Sequence, residues 1–143
     1  RASASCWACC IGTRQSADPC AIENGGRLPS GRRYVIGSAM AGLGGGLTPA
    51  GDDFLVGAML RAWLEGPAPG AFCQAIAGVA APRTTLLSAA LLRAAARGEC
   101  SAPWHRLLAA LESGAPPAPA VDAILAHGHT SGADALAGFL AFG

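Results

Sequence analysis

The sequence predicts a mainly α-helical fold, a compact bundle of about six helices that follows an irregular N-terminal segment. Apolar residues recur at three- and four-residue spacing along most of the later chain. Proline and glycine interrupt this pattern at short intervals, as in the connections of helical bundles. Hydrophobic residues make up 52% of the 143 residues and charged residues 13%, which is typical of one globular domain and not of a disordered chain.

The chain divides into two predicted parts. Residues 1–33 contain Ser, Gly, Pro and Cys without a sustained period, which predicts an irregular N-terminal segment. The helical domain is predicted to span residues 34–143. Residues 33–37 (RYVIG) are suited to one short strand, and residues 43–47 (LGGGL) form a glycine-rich loop whose backbone is little restricted.

The first helix is predicted from Thr48-Pro49 to about Leu64. Thr48 is the expected N-cap, and Pro49 suits the first helical position because it has no amide donor to leave unpaired. Proline and glycine delimit the later helices in the same way. These are predicted at Gly70 to Ala81, Thr84 or Thr85 to Arg97, Ser101 to Gly114, Ala120 to His127, and Ser131 to Phe142.

Nothing in the sequence points to a nucleic acid or a membrane as a partner. The formal net charge is only +1, whereas nucleic-acid-binding domains are usually strongly basic. No apolar run reaches the ~18 residues of a transmembrane helix, and no signal-peptide pattern begins the chain. We therefore expect a cytoplasmic protein. The dinucleotide fingerprint, the lysine-bearing phosphate loop, the HExxH motif and the nucleophile elbow are all missing.

The six cysteines predict no metal site and no cofactor. Four of them crowd near the N-terminus and include one CxxC, but a structural zinc site needs a second ligand pair. Reduced thiols are expected there, with a labile disulfide as the alternative. The other two lie in stretches predicted to be helical, where a free thiol acts as a small buried hydrophobe. The two groups are Cys6, Cys9, Cys10 and Cys20, and Cys73 and Cys100.

A repeated motif is the strongest candidate for a functional site. Residues 51–57 and 132–138 share the pattern G-x-D-x-L-x-G, and each copy lies at a predicted helix start. The repeat predicts that Asp53 and Asp134 lie near each other. Helix N-termini attract anions, although a first-turn carboxylate can simply stabilise its helix. Two adjacent carboxylates, and a Gly that costs up to ~1 kcal/mol within a helix, favour a site.

The candidate residues fall into two groups. Arg83 and Thr84 precede a predicted helix and suit a phosphate or carboxylate, with a capped helix and a solvated Arg as the alternative. His129 can exchange protons near neutral pH, or it can merely order its turn. The catalytic candidates are Asp52, Asp53, Asp134 and His129. The anion-binding candidates are Gly44, Gly45, Gly46, Thr48, Gly51, Arg83, Thr84, Thr130, Ser131 and Gly132.

Three segments resemble the bacterial AllH family. Residues 42–57 (GLGGGLTPAGDDFLVG) are similar to the family signature G-x-G-L-T-P-S-G-D-D-F-L-x-G. Residues 83–88 (RTTLLS) and 128–134 (GHTSGAD) resemble its later segments, so the similarity runs in order from about Tyr34 to the C-terminus. Ala50 replaces the usual Ser, and Gly45 stands where Pro is common.

The resemblance implies a function in an assembly. It implies a subunit that works with FdrA-like and other partner proteins in oxamate carbamoyl transfer during allantoin breakdown, and that binds carbamoyl phosphate or an oxamate-like anion. Two other interpretations stay open. One is a non-catalytic binding or assembly module. The other is a magnesium-dependent helical hydrolase with Asp52, Asp53 and Asp134 as ligands, since carboxylate oxygens suit that ion.

Overall fold

The computed structural model describes residues 37–65 and 68–142, which are almost entirely helical. The predicted fold class is confirmed, and the described part contains no strand. Of the five residues suited to a strand, only Gly37 is described, and it belongs to a helical turn over residues 37–40. The segment 1–33 lies outside the described residues. The helices are α1 (Ala50–Glu65), α2 (Pro69–Ala80), α3 (Leu86–Ala96), α4 (Ala102–Ser113), α5 (Ala118–Leu125) and α6 (Ser131–Ala141), with a 3₁₀ turn at Ala81–Arg83.

The helix ends follow the predicted start and stop signals closely. Thr85 caps α3 by accepting the Ser88 amide at 3.1 Å, and Gly114 ends α4 in the left-handed conformation at φ 72°. The predicted N-cap of α1 is wrong by one residue. The amides of Asp52 and Asp53 donate to the carbonyl of Pro49, so Pro49 occupies the cap position and the Thr48 side chain is left for another contact.

Helix α1 is the centre of the fold because both of its sides are buried. Leu55 and Met59 pack into one apolar cluster with side chains of α2 and α3. Leu60 packs into a second cluster with side chains of α4, α5 and α6, where Trp104 and Phe139 lie with ring centroids 5.4 Å apart. The position of α1 therefore depends on every other helix of the bundle.

Helices α1 and α6 cross with their backbones in contact, and glycine makes this possible. A Cβ atom on Gly57 would lie 1.8 Å from the carbonyl oxygen of Ala135. A Cβ atom on Gly138 would lie 1.9 Å from the carbonyl oxygen of Phe54. The two contacts are reciprocal, since Gly57 and Gly138 are the last residues of the two motif copies, and Phe54 and Ala135 occupy equivalent positions within them.

The first glycines of the two motif copies have equivalent contacts as well. A Cβ atom on Gly51 would lie 2.0 Å from the carbonyl oxygen of Met40, and one on Gly132 would lie 1.9 Å from that of Ile124. Each motif copy thus packs its first glycine on the preceding segment and its last glycine on the other copy. The repeat relates α1 and α6 by a local pseudo-twofold, which brings their N-terminal ends together.

Candidate functional site

Asp53 and Asp134 meet where the first turns of α1 and α6 come together. Each is the fourth residue of its helix. Asp134 is close enough for its charge to raise the pKa of Asp53, although burial has the larger effect. The repeated motif therefore places the two carboxyl groups within electrostatic range of each other.

The Asp53 carboxyl is buried and incompletely paired. The residue is only 7% exposed, and its Oδ2 atom has no hydrogen-bond partner. Loss of water around the group raises the pKa of Asp53, and the charges of Asp134 and Asp52 add to this. The hydroxyls of Ser131 and Thr48 oppose the shift and lie 2.9 Å from each other. A buried acceptor without a donor is costly, so this atom is suited to bind a ligand.

Asp53 lines a cavity of about 340 Å³ between α1, α5, α6 and the connection from α3 to α4. Ser131 lies at the same end of α6 and also lines it. Much of the remaining wall consists of apolar side chains, with Trp104 the largest among them. The polar contributions other than Asp53 and Ser131 come from Glu99, Cys100, Ser101 and His127.

Asp52 makes contacts that differ from those of Asp53. It is 1% exposed and accepts two hydrogen bonds, from the amide of Gly42 at 2.9 Å and from the hydroxyl of Thr84. The next hydroxyl, that of Thr85, donates to the Leu47 carbonyl at 2.6 Å. Asp52 and Thr84 thus fasten the glycine-rich loop to the starts of α1 and α3.

The backbone amides at the start of α1 donate hydrogen bonds to other groups of the chain. The Gly51 amide donates to the Leu43 carbonyl at 2.9 Å, and those of Asp52 and Asp53 donate to the Pro49 carbonyl at 2.9 and 3.2 Å. A bound anion would need these donors free. The expected anion site at the α1 N-terminus therefore lacks these donors. The glycines that precede α1 allow the backbone conformation of the loop.

Of the predicted site residues, Asp53, Ser131 and Gly132 line the cavity, and the others are not part of its wall. Arg83 is exposed and does not line it, contrary to the expectation of a common cleft, although its carbonyl packs against Gly42. His129 and Thr130 are exposed in the turn before α6. The loop glycines Gly44, Gly45 and Gly46 are exposed as well, and they do not line the cavity.

A comparison with known families identifies the family of this chain. The profile of the family described as oxamate carbamoyltransferase subunit AllH matches residues 40–142, which include every helix from α1 to α6. The chain belongs to the AllH family. No solved structure matches this AllH chain significantly.

Sequence reasoning missed several residues that line the cavity in this AllH domain. His127 lies at the end of α5 and faces the cavity, whereas the predicted His129 does not line it. Three more lining residues belong to the connection that follows α3 and to the first turn of α4. They are Glu99, Cys100 and Trp104. The predicted His129 lies only two residues after His127 in the sequence. The α3–α4 connection has no motif that could have indicated a place in the cavity wall.

The thiols and carboxylates of the described AllH residues form no metal site. Across residues 37–65 and 68–142, no three His, Cys, Asp or Glu side chains are grouped closely enough to hold an ion. The magnesium interpretation therefore has no ligand set there. Cys73 is fully buried, and burial raises the pKa of its thiol to about 12. Cys100 lies after α3, not within a helix as expected, and burial raises the pKa of its thiol to about 11.

Two further expectations concern the N-terminal cysteines and membrane-spanning helices. Cys6, Cys9, Cys10 and Cys20 lie outside the described residues. Among the helices that the structure describes, none has the length and hydropathy needed to cross a membrane.

Proposed function

We propose that this chain is the AllH subunit of a carbamoyltransferase assembly and that Asp53 receives the amide group of a small acceptor such as oxamate. The family description supports the assembly. The buried, unpaired Oδ2 atom of Asp53 at the cavity wall is the observation that supports the site. A carboxylate oxygen accepts hydrogen bonds from an NH₂ group, and an acceptor amide would satisfy this atom.

The same carboxylate is suited to take a proton in the reaction. When the amide nitrogen bonds to the carbamoyl carbon of carbamoyl phosphate, the bond from that carbon to the phosphate oxygen breaks and phosphate leaves. The nitrogen must then lose one proton. Burial raises the pKa of Asp53, which makes its carboxylate a stronger base than an ordinary Asp. Asp53 would accept this proton, with Ser131 and Thr48 holding the carboxyl in place.

The carboxylate of the acceptor would bind to backbone amides at the N-terminus of α6. Thr130 does not cap this helix with its side chain. The amides of Gly132 and Asp134 donate to the carbonyls of His127 and Thr130, which leaves those of Ser131 and Ala133 for a ligand. A helix N-terminus with free donors stabilises a carboxylate. Oxamate would thus place its amide at Asp53 and its carboxylate at the start of α6.

The phosphate group would be bound by another subunit. The cluster around Asp53 is acidic, the α1 amides are occupied, and Arg83 lies outside the cavity. Phosphate is normally held by several positive or N–H donors. FdrA-like partner proteins would provide these, so the reaction would require the assembled complex.

Turnover with the partner subunits present tests the proposal. Asp53→Asn keeps the shape of the side chain but removes the base, so kcat should fall by about 100-fold or more. Asp122→Asn makes the same chemical change at an exposed position of α5 and should leave turnover unchanged. Wild-type turnover by the Asp53→Asn complex would refute the catalytic role of this cavity.

A second candidate function, that of an assembly module without catalysis, is favoured by exposed leucines near the glycine-rich loop. Leu47 is 75% and Leu86 is 92% exposed, and the bond from Thr85 to the Leu47 carbonyl holds these two regions together. Exposed apolar patches often mark protein contacts. Leu86→Glu should then release the partner subunits in a co-purification assay, while Leu140→Glu at the far end of α6, also exposed, should not.

A further inference from the structure

We propose that the cavity also binds primary amides carried on an apolar body, which are larger and less polar acceptors than oxamate. This inference rests on the proposed function for its link to carbamoyl transfer. Its physical basis is the cavity itself. Asp53 and Ser131 provide one polar region, and apolar side chains form much of the remaining wall.

The size of the cavity exceeds what a very small acceptor would fill. Its volume of about 340 Å³ falls within the range of pockets that hold drug-sized ligands, roughly 300–1,000 Å³. With the oxamate amide at Asp53 and its carboxylate at the α6 amides, much of this volume would stay unfilled. An apolar group attached to the amide would occupy the unfilled part.

The apolar wall selects against a second charged group on the ligand. Leu60 and Ile124 are almost completely buried, and Trp104 is 7% exposed. A carboxylate or phosphate placed against these side chains would lose its water without gaining hydrogen bonds, which is strongly unfavourable. An aliphatic or aromatic group gains free energy at the same place because its apolar surface leaves water.

The polar end selects an amide over a carboxylate of the same shape. An amide N–H can donate to the unpaired Oδ2 atom of Asp53. The hydroxyls of Thr48 and Ser131 are hydrogen-bonded to each other. The Ser131 hydroxyl also hydrogen-bonds to the Asp53 carboxyl, which orients this carboxyl for an incoming amide. A carboxylate in the position of this amide would have no N–H to offer and would be repelled by Asp53.

Binding of benzamide to the full chain, measured by calorimetry or by ligand-observed NMR, tests this inference. Benzoate is the matched anion of the same shape, and benzylamine is the matched cation. Benzamide should bind at least about tenfold more tightly than benzoate, because benzoate loses the hydrogen bond to a charged group and meets like charge. Equal or tighter binding of benzoate or benzylamine would overturn the amide assignment.

Two variants locate the binding. Asp53→Asn replaces an acceptor by a donor, so the preference for benzamide over benzoate should fall about tenfold or more. Ala94→Phe places a ring in the cavity from the half-buried wall formed by α3 and should abolish benzamide binding without changing Asp53. Asp122→Asn should leave both properties unchanged. Benzamide binding that survives Ala94→Phe would place the ligand elsewhere and refute the inference.

The inference and the proposed function fail in different experiments. If benzamide does not bind but Asp53→Asn still abolishes turnover in the assembly, the apolar-body inference is wrong and the catalytic role stands. If benzamide binds as expected but Asp53→Asn turns over normally, the ligand class stands and the catalytic role is wrong.

Discussion

The contact between α1 and α6 predicts that Gly57→Ala destabilises the protein, although alanine is normally the better helix residue. The new Cβ atom would lie 1.8 Å from the Ala135 carbonyl oxygen, whereas ordinary contacts begin at 3.4 Å. The two helices must therefore separate by about 1.6 Å, the difference between these distances. Neither backbone can yield by a side-chain rotation, because the clash is with a carbonyl.

The expected magnitude follows from two opposing effects. Replacing Gly by Ala within a helix is worth about 1 kcal/mol in favour of folding. Overpacking a core costs about 1–3 kcal/mol and sometimes more, and here the separation also loosens side chains from both apolar clusters that α1 joins. The upper end of the packing cost less the helix gain leaves an expected net loss of about 2 kcal/mol in the free energy of unfolding.

Urea denaturation followed by circular dichroism measures this change. Gly78→Ala is the matched control, because Gly78 is also helical and nothing lies within 4 Å of its Cβ position. That variant should be more stable by about 0.5–1 kcal/mol. Gly138→Ala should behave like Gly57→Ala. The double variant should lose less than the sum, because one separation relieves both clashes. A stabilising effect of Gly57→Ala would refute the close crossing.

Three further predictions concern charge, capping and thiols. Burial raises the pKa of Asp53 above its ordinary value of 3.8, so the folded state binds more protons than the unfolded state between the ordinary and the raised pKa. The contribution of Asp53 to stability must then fall as pH rises through this window. Asp53→Asn should remove that contribution and stabilise the protein at pH 7 relative to the wild type. A melting temperature of the variant at pH 7 no higher than that of the wild type would contradict this. Thr85→Ala removes the cap of α3 and its bond to the Leu47 carbonyl and should cost about 1–2 kcal/mol, measured against Thr130→Ala, which removes no side-chain cap. Because burial raises the pKa of Cys73 to about 12 and that of Cys100 to about 11, peptide mass spectrometry should find both unmodified after brief iodoacetamide treatment at pH 7.5, and rapid labelling of either would show that its thiol is accessible.

The helices could be predicted from the sequence because proline and glycine delimit nearly all of them. The residue pattern of the two motif copies also predicted two equivalent helix starts, and the hydroxyls of Thr48 and Ser131 at these starts lie 2.9 Å apart. It could do so because the same local spacing produces the same local geometry, and two equivalent helices pack through equivalent faces. The sequence did not reveal that the glycines of the repeat allow the close crossing of α1 and α6. A glycine in a sequence does not show which atoms occupy the space that a side chain would fill.

Other features depend on contacts between distant segments and could not be predicted. Asp52 and Asp53 are adjacent and chemically alike, yet one is fully paired with Gly42 and Thr84 and the other has an unpaired oxygen. The path of the glycine-rich loop determines which of the two carboxyl groups is paired. The apolar wall of the cavity likewise arises from segments without any motif, among them the start of α4 with Trp104.

The contact between α1 and α6 also determines when the site can exist during synthesis. Thr48 and Ser131, which meet beside Asp53, are 83 residues apart in the chain. Contacts of such long range form late because a long loop must first be closed. While the ribosome still holds α6, the cluster of α1, α2 and α3 can already form, but Asp53 has neither Ser131 nor Asp134 beside it. The nascent chain therefore lacks the assembled pocket until its last described helix has emerged and docked.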